Sequence, residues 1–373
     1  MRVMAMGDIG VLDDMIHIGD EAMFEAGIGE LRARGVHDIV GVSANPQDTA
    51  ARYGIDAVER PNGAPSADLI ETLRGSDAVI ITGGGNLSSL WPMHVRTRSE
   101  IGRLARQYEK PLVVTGQTIG PYLDEADSAL VAELLGSARL VGVREARSRE
   151  LCQRLGIPAS MLRQTVDDAS FLVTEPAEPS PYCLVTLAHH VGDADRSAVE
   201  LSIAALLNEV GATTDLTIAF SAHFGALDGA PTLGPARGDS IMHERVAALL
   251  SAPAQVLPVT DSAAAARLAR SAALVVCSRY HPAVFAASAG VPVIGIPVDD
   301  YTETKLTGAL ANFGQHSTLP VAALLAGAGN AVMHETWAAR RDTRATGLRL
   351  AASARQASAR WWDDVVAALG GQS

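Results

Sequence analysis

Short apolar runs recur through the first half of the chain at 2–6, 38–43, 77–82, 111–116 and 139–143, separated by longer stretches of helical spacing. Fully apolar runs of this length, rich in Val and Ile, predict strands buried on both faces, and the helices between them predict a parallel sheet. The pattern breaks at 174–181, where TEPAEPSP sets three prolines among acidic and small residues. It then resumes with runs at 182–188, 216–221, 272–278 and 291–297 and a helical stretch from Asp193 to Val210. Two doubly wound α/β domains are expected, residues 1–173 and 182–373, joined by a linker at 174–181. From Asp342 to Leu369 the spacing is helical, and the apolar face ending at Trp361-Trp362 and Val365-Val366 reads as a packing face rather than a membrane-binding one. The Gly, Pro and Ala-rich stretch 222–238 is expected to form a flap.

Composition narrows the function classes. With 42 acidic and 30 basic residues in 373, the chain lacks the broad basic surface of a nucleic-acid binder, so any anion site is local. Cys152, Cys183 and Cys277 stand far apart and read as reduced core residues. The start, MRVMAMGDIG, reads as a strand and a glycine turn, and no apolar run approaches the roughly 20 residues that span a bilayer. A cytoplasmic protein is expected. Contact with the inner face of the cell membrane and self-association stay open.

Open parallel sheets bind ligands beyond the carboxyl ends of their strands, so chemistry is sought there. The first such stretch runs from Gly7-Asp8 to His17-Ile18-Gly19-Asp20, where Asp20 either caps a helix or faces a ligand. Thr82-Gly83-Gly84-Gly85-Asn86 follows a strand, and its backbone N–H groups can approach an anion or a sugar; the bland alternative is a tight turn. It matches neither a dinucleotide fingerprint nor a P-loop. Gln117 supplies an amide, and Arg144 ends a strand where a guanidinium either grips an anion or pairs with Glu145 or Glu150. Asp167-Asp168 lacks the further ligands that a metal needs, so no metal is expected. The strongest stretch is Ser278-Arg279-Tyr280-His281-Pro282. Arg279 and His281 are read as side by side on an extended segment that leads into a helix, so that an arginine, an imidazole and a helix N-terminus converge on one anion.

Taken in order, Gly-Asp-Glu-Ala (19–22), Gly-Gly-Gly-Asn (83–86), Gly-Gln-Thr-Ile-Gly-Pro (116–121), Val-Arg-Glu-Ala-Arg-Ser (143–148), Asp-Asp-Ala-Ser-Phe (167–171) and Ser-Arg-Tyr-His with its Ala-Gly-Val-Pro sequel (278–292) make the chain resemble the polysaccharide pyruvyl transferase family. The resemblance implies a glycosyltransferase-B-like fold of two Rossmann-type domains facing across a cleft. It also implies transfer of pyruvate from phosphoenolpyruvate onto two hydroxyls of a sugar, usually within a cell-surface glycan or its lipid-linked precursor, with release of phosphate and no cofactor. On that basis Arg279, Arg144 and Ser278 are expected at the donor, His281 and Asp20 in acid–base roles, and His17, Gly84, Gly85, Asn86 and Gln117 on the acceptor side. This chain has His17 where the family commonly has asparagine, so His17 binds sugar, donates a proton or simply packs. Two rivals remain: a nucleotide-sugar glycosyltransferase or epimerase of the same fold, and a non-catalytic glycan-assembly protein.

Overall fold

The computed structural model describes residues 1–175, 178–226, 237–258 and 261–371, and these form two compact units. The nine strands expected from the apolar runs all form. Helices start where short polar side chains can satisfy the first free N–H groups. Asn45 accepts from the Asp48 N–H (3.2 Å) ahead of helix Pro46–Tyr53, which ends on left-handed Gly54, and Asp195 accepts from the Ala198 N–H (2.8 Å) ahead of Arg196–Thr214.

The first unit comprises Met1–Leu12, Asp20–Ala169 and the chain from Ala354 onward. Its parallel strands lie in the order Asp56–Glu59, Asp38–Ser43, Arg2–Met6, Ala78–Ile81, Leu112–Ile119, Leu140–Val143, Leu162–Gln164. Because the chain order reverses between Arg2–Met6 and Ala78–Ile81, the connections leave in opposite directions there and open a crevice at the carboxyl ends of those two strands. Side-chain alternation splits the core: Met4 and Met6 join Ile81 and Val114 on one face, while Val3 and Ala5 join Ile80 and Val113 on the other. Trp361, Trp362, Val365 and Val366 from the C-terminal helix Arg340–Leu369 complete that second face, which is the packing role the sequence pattern assigns them.

The second unit comprises Asp13–Gly19 and Ser170–Ser353. It therefore begins ahead of the Pro-rich 174–181 segment and recruits a short piece from near the N-terminus. Its strands, also parallel, run Gln255–Leu257, Thr217–Ser221, Ser180–Thr186, Ala272–Cys277, Val293–Gly295, with the reversal between Ser180–Thr186 and Ala272–Cys277. Met15–His17 pairs antiparallel with Phe224–Ala226, placing His17 opposite Phe224. Most of the expected flap, 227–236, lies outside the described residues. All three cysteines are free and buried, and burial pushes the Cys152 and Cys277 thiols up to about 12.

Two expectations of local structure are corrected. Gly84–Leu87 is a strand pairing with Leu112–Ile119, not a turn opening a helix. His281 does not sit on an extended segment: helix Tyr280–Ala287 already starts one residue before it, with extended Arg279 as its cap. Pro282 is compatible with that start because the N–H it lacks would in any case have no partner within the helix's first turn.

Candidate active site

In the second unit the residues of interest gather where the strand order reverses. Ser278 and Arg279 directly follow Ala272–Cys277. The Ser278 N–H donates to the Thr186 carbonyl (3.1 Å), and its Oγ accepts from the Ala188 N–H (2.8 Å), which ties together the ends of the two strands flanking the reversal. Arg279 is held by Asp239: Nε lies 3.0 Å from both carboxylate oxygens and Nη2 lies 2.5 Å from Oδ1. Nη1 has no protein partner among the described residues. The arginine side chain keeps 25% of its surface exposed while Asp239 has none, so the charge is anchored from below and open above.

His281, in the first turn of helix Tyr280–Ala287, packs against Gly19. A Cβ added at Gly19 would lie 1.9 Å from His281 Nδ1, so only glycine admits the ring. The His17 ring lies tilted against that of Phe224 (5.7 Å between ring centres), and the Ile18 N–H donates to the His223 backbone carbonyl (2.9 Å). His223 is buried, and its pKa is pushed well below the usual histidine value by burial and then by the nearby His281, Arg279, His17 and His243. His243 accepts the Leu187 N–H at Nε2 (2.9 Å), which leaves Nδ1 to carry its proton. Burial, opposed by Asp239, lowers its pKa to about 4. The site thus combines one fixed guanidinium, the imidazoles of His17, His223, His243 and His281, and a helix N-terminus, a setting suited to an anion and to proton transfer.

The first unit carries a second polar group at its own reversal. Asp8 follows strand Arg2–Met6, pairs with Arg60 and accepts from Asn86 Nδ2 (3.0 Å). His94 Nδ1 lies 3.7 Å from Asp8 and 3.1 Å from Arg98 Nη1. Its pKa is lowered, first by burial, against the opposing pull of Asp8 and, more weakly, of Asp20. Asp20, in the first turn of helix Ile18–Ala33, belongs to the same unit.

The remaining expected site residues are placed differently. Arg144 is fully buried in the first unit, where Nε donates to Thr118 (2.9 Å) and lies 3.2 Å from Glu145, and Nη1 pairs with Asp167. Glu145 is one of the two pairing partners expected for a surface ion pair, but the pair is buried and Asp167 takes part in it. Gln117 is also buried; its amide donates to the carbonyls of Thr82 (2.6 Å) and Thr115 (3.1 Å) beside a shift in register at left-handed Gly116. Gly83 serves close packing, since a Cβ there would meet Met23 Sδ at 2.9 Å, whereas one at Gly84 would make only an ordinary contact, 3.5 Å from Gln117 Oε1. His17 belongs to the second unit, as does His281. The sequence reading passed over Asp239, His223, His243, His94, Arg60 and any role for Asp8. Asp8 and His223 follow strands closely enough for the strand-end rule to have singled them out. Among the described residues no group of three or more His, Cys, Asp or Glu is arranged to hold a metal ion.

The polysaccharide pyruvyl transferase pattern matches residues 17–300, a span that takes in the second unit's cluster and, apart from Asp8, the first unit's. The chain belongs to the polysaccharide pyruvyl transferase family. Among curated proteins none matches it in sequence. Solved structures with a similar fold include HepE from Anabaena in complex with UDP and glucose (12% identity, TM-score 0.60, 98% of this chain and 100% of that one). UDP-GlcNAc 2-epimerase from Neisseria meningitidis bound to UDP-GlcNAc is also similar (12% identity, TM-score 0.59, 93% and 94% covered). So is the calicheamicin glycosyltransferase CalG4 (15% identity, TM-score 0.55, 99% and 98% covered). At these identities the likeness concerns the fold, and it makes the fold of this family member glycosyltransferase-B-like. Among the described residues no helix is long and apolar enough to cross a membrane.

Proposed function

We propose that this family member moves pyruvate from phosphoenolpyruvate onto two hydroxyls of a saccharide and releases phosphate. The observation that supports this reading best is the second unit's pairing of an anchored but outward-open Arg279 with His281 at a helix N-terminus. Phosphoenolpyruvate brings a carboxylate and a phosphate, which call for a fixed cation and oriented N–H groups, and an enol carbon that must take a proton. On this reading His281 delivers a proton to the methylene carbon, and the first hydroxyl bonds to the adjacent carbon as it loses its own proton. The bond to the phosphate oxygen then breaks with its electron pair, and the second hydroxyl closes the ketal. One of the two hydroxyl protons leaves with phosphate and the other passes to a base, replacing the proton spent on carbon. Asp20, beside the His94–Asp8 pair, is the base we assign to the acceptor. We keep Arg279 and Ser278 at the donor, but we assign Arg144 to shaping the first unit, because its side chain is fully buried whereas that of Arg279 is partly open.

The test is acceptor-dependent release of phosphate from phosphoenolpyruvate, with a mass gain of one pyruvate ketal on the saccharide. The Anabaena and Neisseria structures were solved with UDP and UDP-GlcNAc, so a nucleotide-sugar reaction is the competing outcome. A ligand that binds only the folded state raises its melting temperature. Stabilisation by phosphoenolpyruvate and none by UDP-sugars supports pyruvyl transfer, and the reverse result refutes it. The acceptor's identity, including whether it is lipid-linked, is to be read from the saccharides that gain the ketal.

A further inference from the structure

We infer that Asp239 is the positioning residue of the donor site, an assignment that rests on the reading of the site proposed above. Its carboxylate is fully buried, yet four hydrogen-bond donors converge on it from two directions. From one side come Arg279 Nε and Nη2, covering both oxygens (2.5–3.0 Å). From the other, the backbone N–H groups of His223 (3.1 Å) and Phe224 (2.9 Å) donate to Oδ2. The Asp239 N–H returns a bond to the Phe224 carbonyl (2.8 Å), which closes a ring between the two stretches of chain. Left-handed Gly238 makes that approach possible, since a Cβ there would lie 2.3 Å from the same carbonyl.

Three candidate groups are ordered by this one carboxylate. It fixes the Arg279 fork from the side, so that Nη1 faces away from the pair. It fixes the backbone of His223. Through Phe224 it also fixes the strand on which His17 is paired and packed, and the Ile18 N–H bonded to the His223 carbonyl carries the order on to Gly19, against which His281 packs. A flexible arginine loses considerable side-chain freedom when it grips an anion, and an arginine already held loses less. Asp239 therefore contributes to donor binding without touching the donor. A charge-matched buried pair that served folding alone would not need the fork to remain partly exposed.

The experiment compares wild type, Asp239→Asn, Arg279→Lys and the double variant, after each is shown to be folded by circular dichroism. The first readout is solvent exchange of the Arg279 Nε–H by NMR, which needs no substrate. Exchange should be slow in wild type and faster in Asp239→Asn; equal rates overturn the inference. The second is KM for phosphoenolpyruvate against kcat. Asp239→Asn should raise KM about tenfold, the equivalent of one charge-assisted hydrogen bond, with kcat changed far less. The double variant should be no worse than the poorer single variant, because both act through one fork. Additive losses, or a KM unmoved by Asp239→Asn, overturn the inference while leaving pyruvyl transfer standing. A wild type without phosphoenolpyruvate turnover instead sinks the proposed function, and the exchange rates then still decide whether Asp239 orders Arg279.

Discussion

At the scale of single residues, the candidate chemistry depends on contacts measured in tenths of an ångström. His281 is expected to be indispensable for proton transfer: His281→Gln should cut acceptor-dependent phosphate release by about 10²–10⁴-fold, while the phosphoenolpyruvate-induced rise in melting temperature survives. A variant that keeps wild-type turnover removes the histidine from the mechanism. Gly19 offers an independent check, because the Cβ of Gly19→Ala would overlap the His281 ring and displace it. Displacing a reacting group by about 1 Å can cost on the order of 100-fold in rate. Gly19→Ala should therefore mimic the loss of His281, and near-normal turnover would show that the ring's position is unimportant. Sequence made His281 and Arg279 conspicuous. It could not reveal Asp239, which is separated from Arg279 by forty residues of chain and carries no motif of its own.

Among the elements, helix Ser240–Ala247 holds His243 against the end of strand Ser180–Thr186 through the Leu187 N–H. The pKa of His243 falls from 6.5 to about 4 on folding, chiefly through burial, so the folded state binds its proton less readily than the unfolded state. Its contribution to stability is complete above about pH 6.5 and drains away as pH falls toward 4. Thermal melts between pH 7 and pH 4 should show a falling wild-type melting temperature and a flatter profile for His243→Gln. Parallel profiles would mean that other groups set the acid limb. The patterning made the central strands legible because both of their faces are buried and their apolar runs are continuous. It misled at Gly84–Leu87, where glycines suggest a turn but the backbone forms a strand paired with Gln117 and Ile119. Glycine reports the closeness of a neighbour, and only the fold says which neighbour.

For the molecule as a whole, helix Arg340–Leu369 is informative because its last turns complete the core of the first unit, to which they are joined only through the second unit's length of chain. Trp362 is about 1% exposed within that core. Trp362→Ala should destabilise the protein by about 3–5 kcal/mol, read as a lower urea midpoint, since a large core side chain is lost and a cavity left behind. A shift of less than half that would mean the aromatic face is only loosely packed. What the sequence determined by itself was the two-unit α/β class, the central strands, the C-terminal packing helix and the family, because local periodicity and ordered motifs are written in neighbouring residues. The tertiary structure alone decided that Arg144 and Gln117 are buried inside the first unit, that His17 and Gly19 belong with His281, and that Asp239 anchors Arg279. The physical reason is that charge compensation and close approach are properties of pairs in space, and a chain that returns after tens or hundreds of residues leaves no local trace of where it will land.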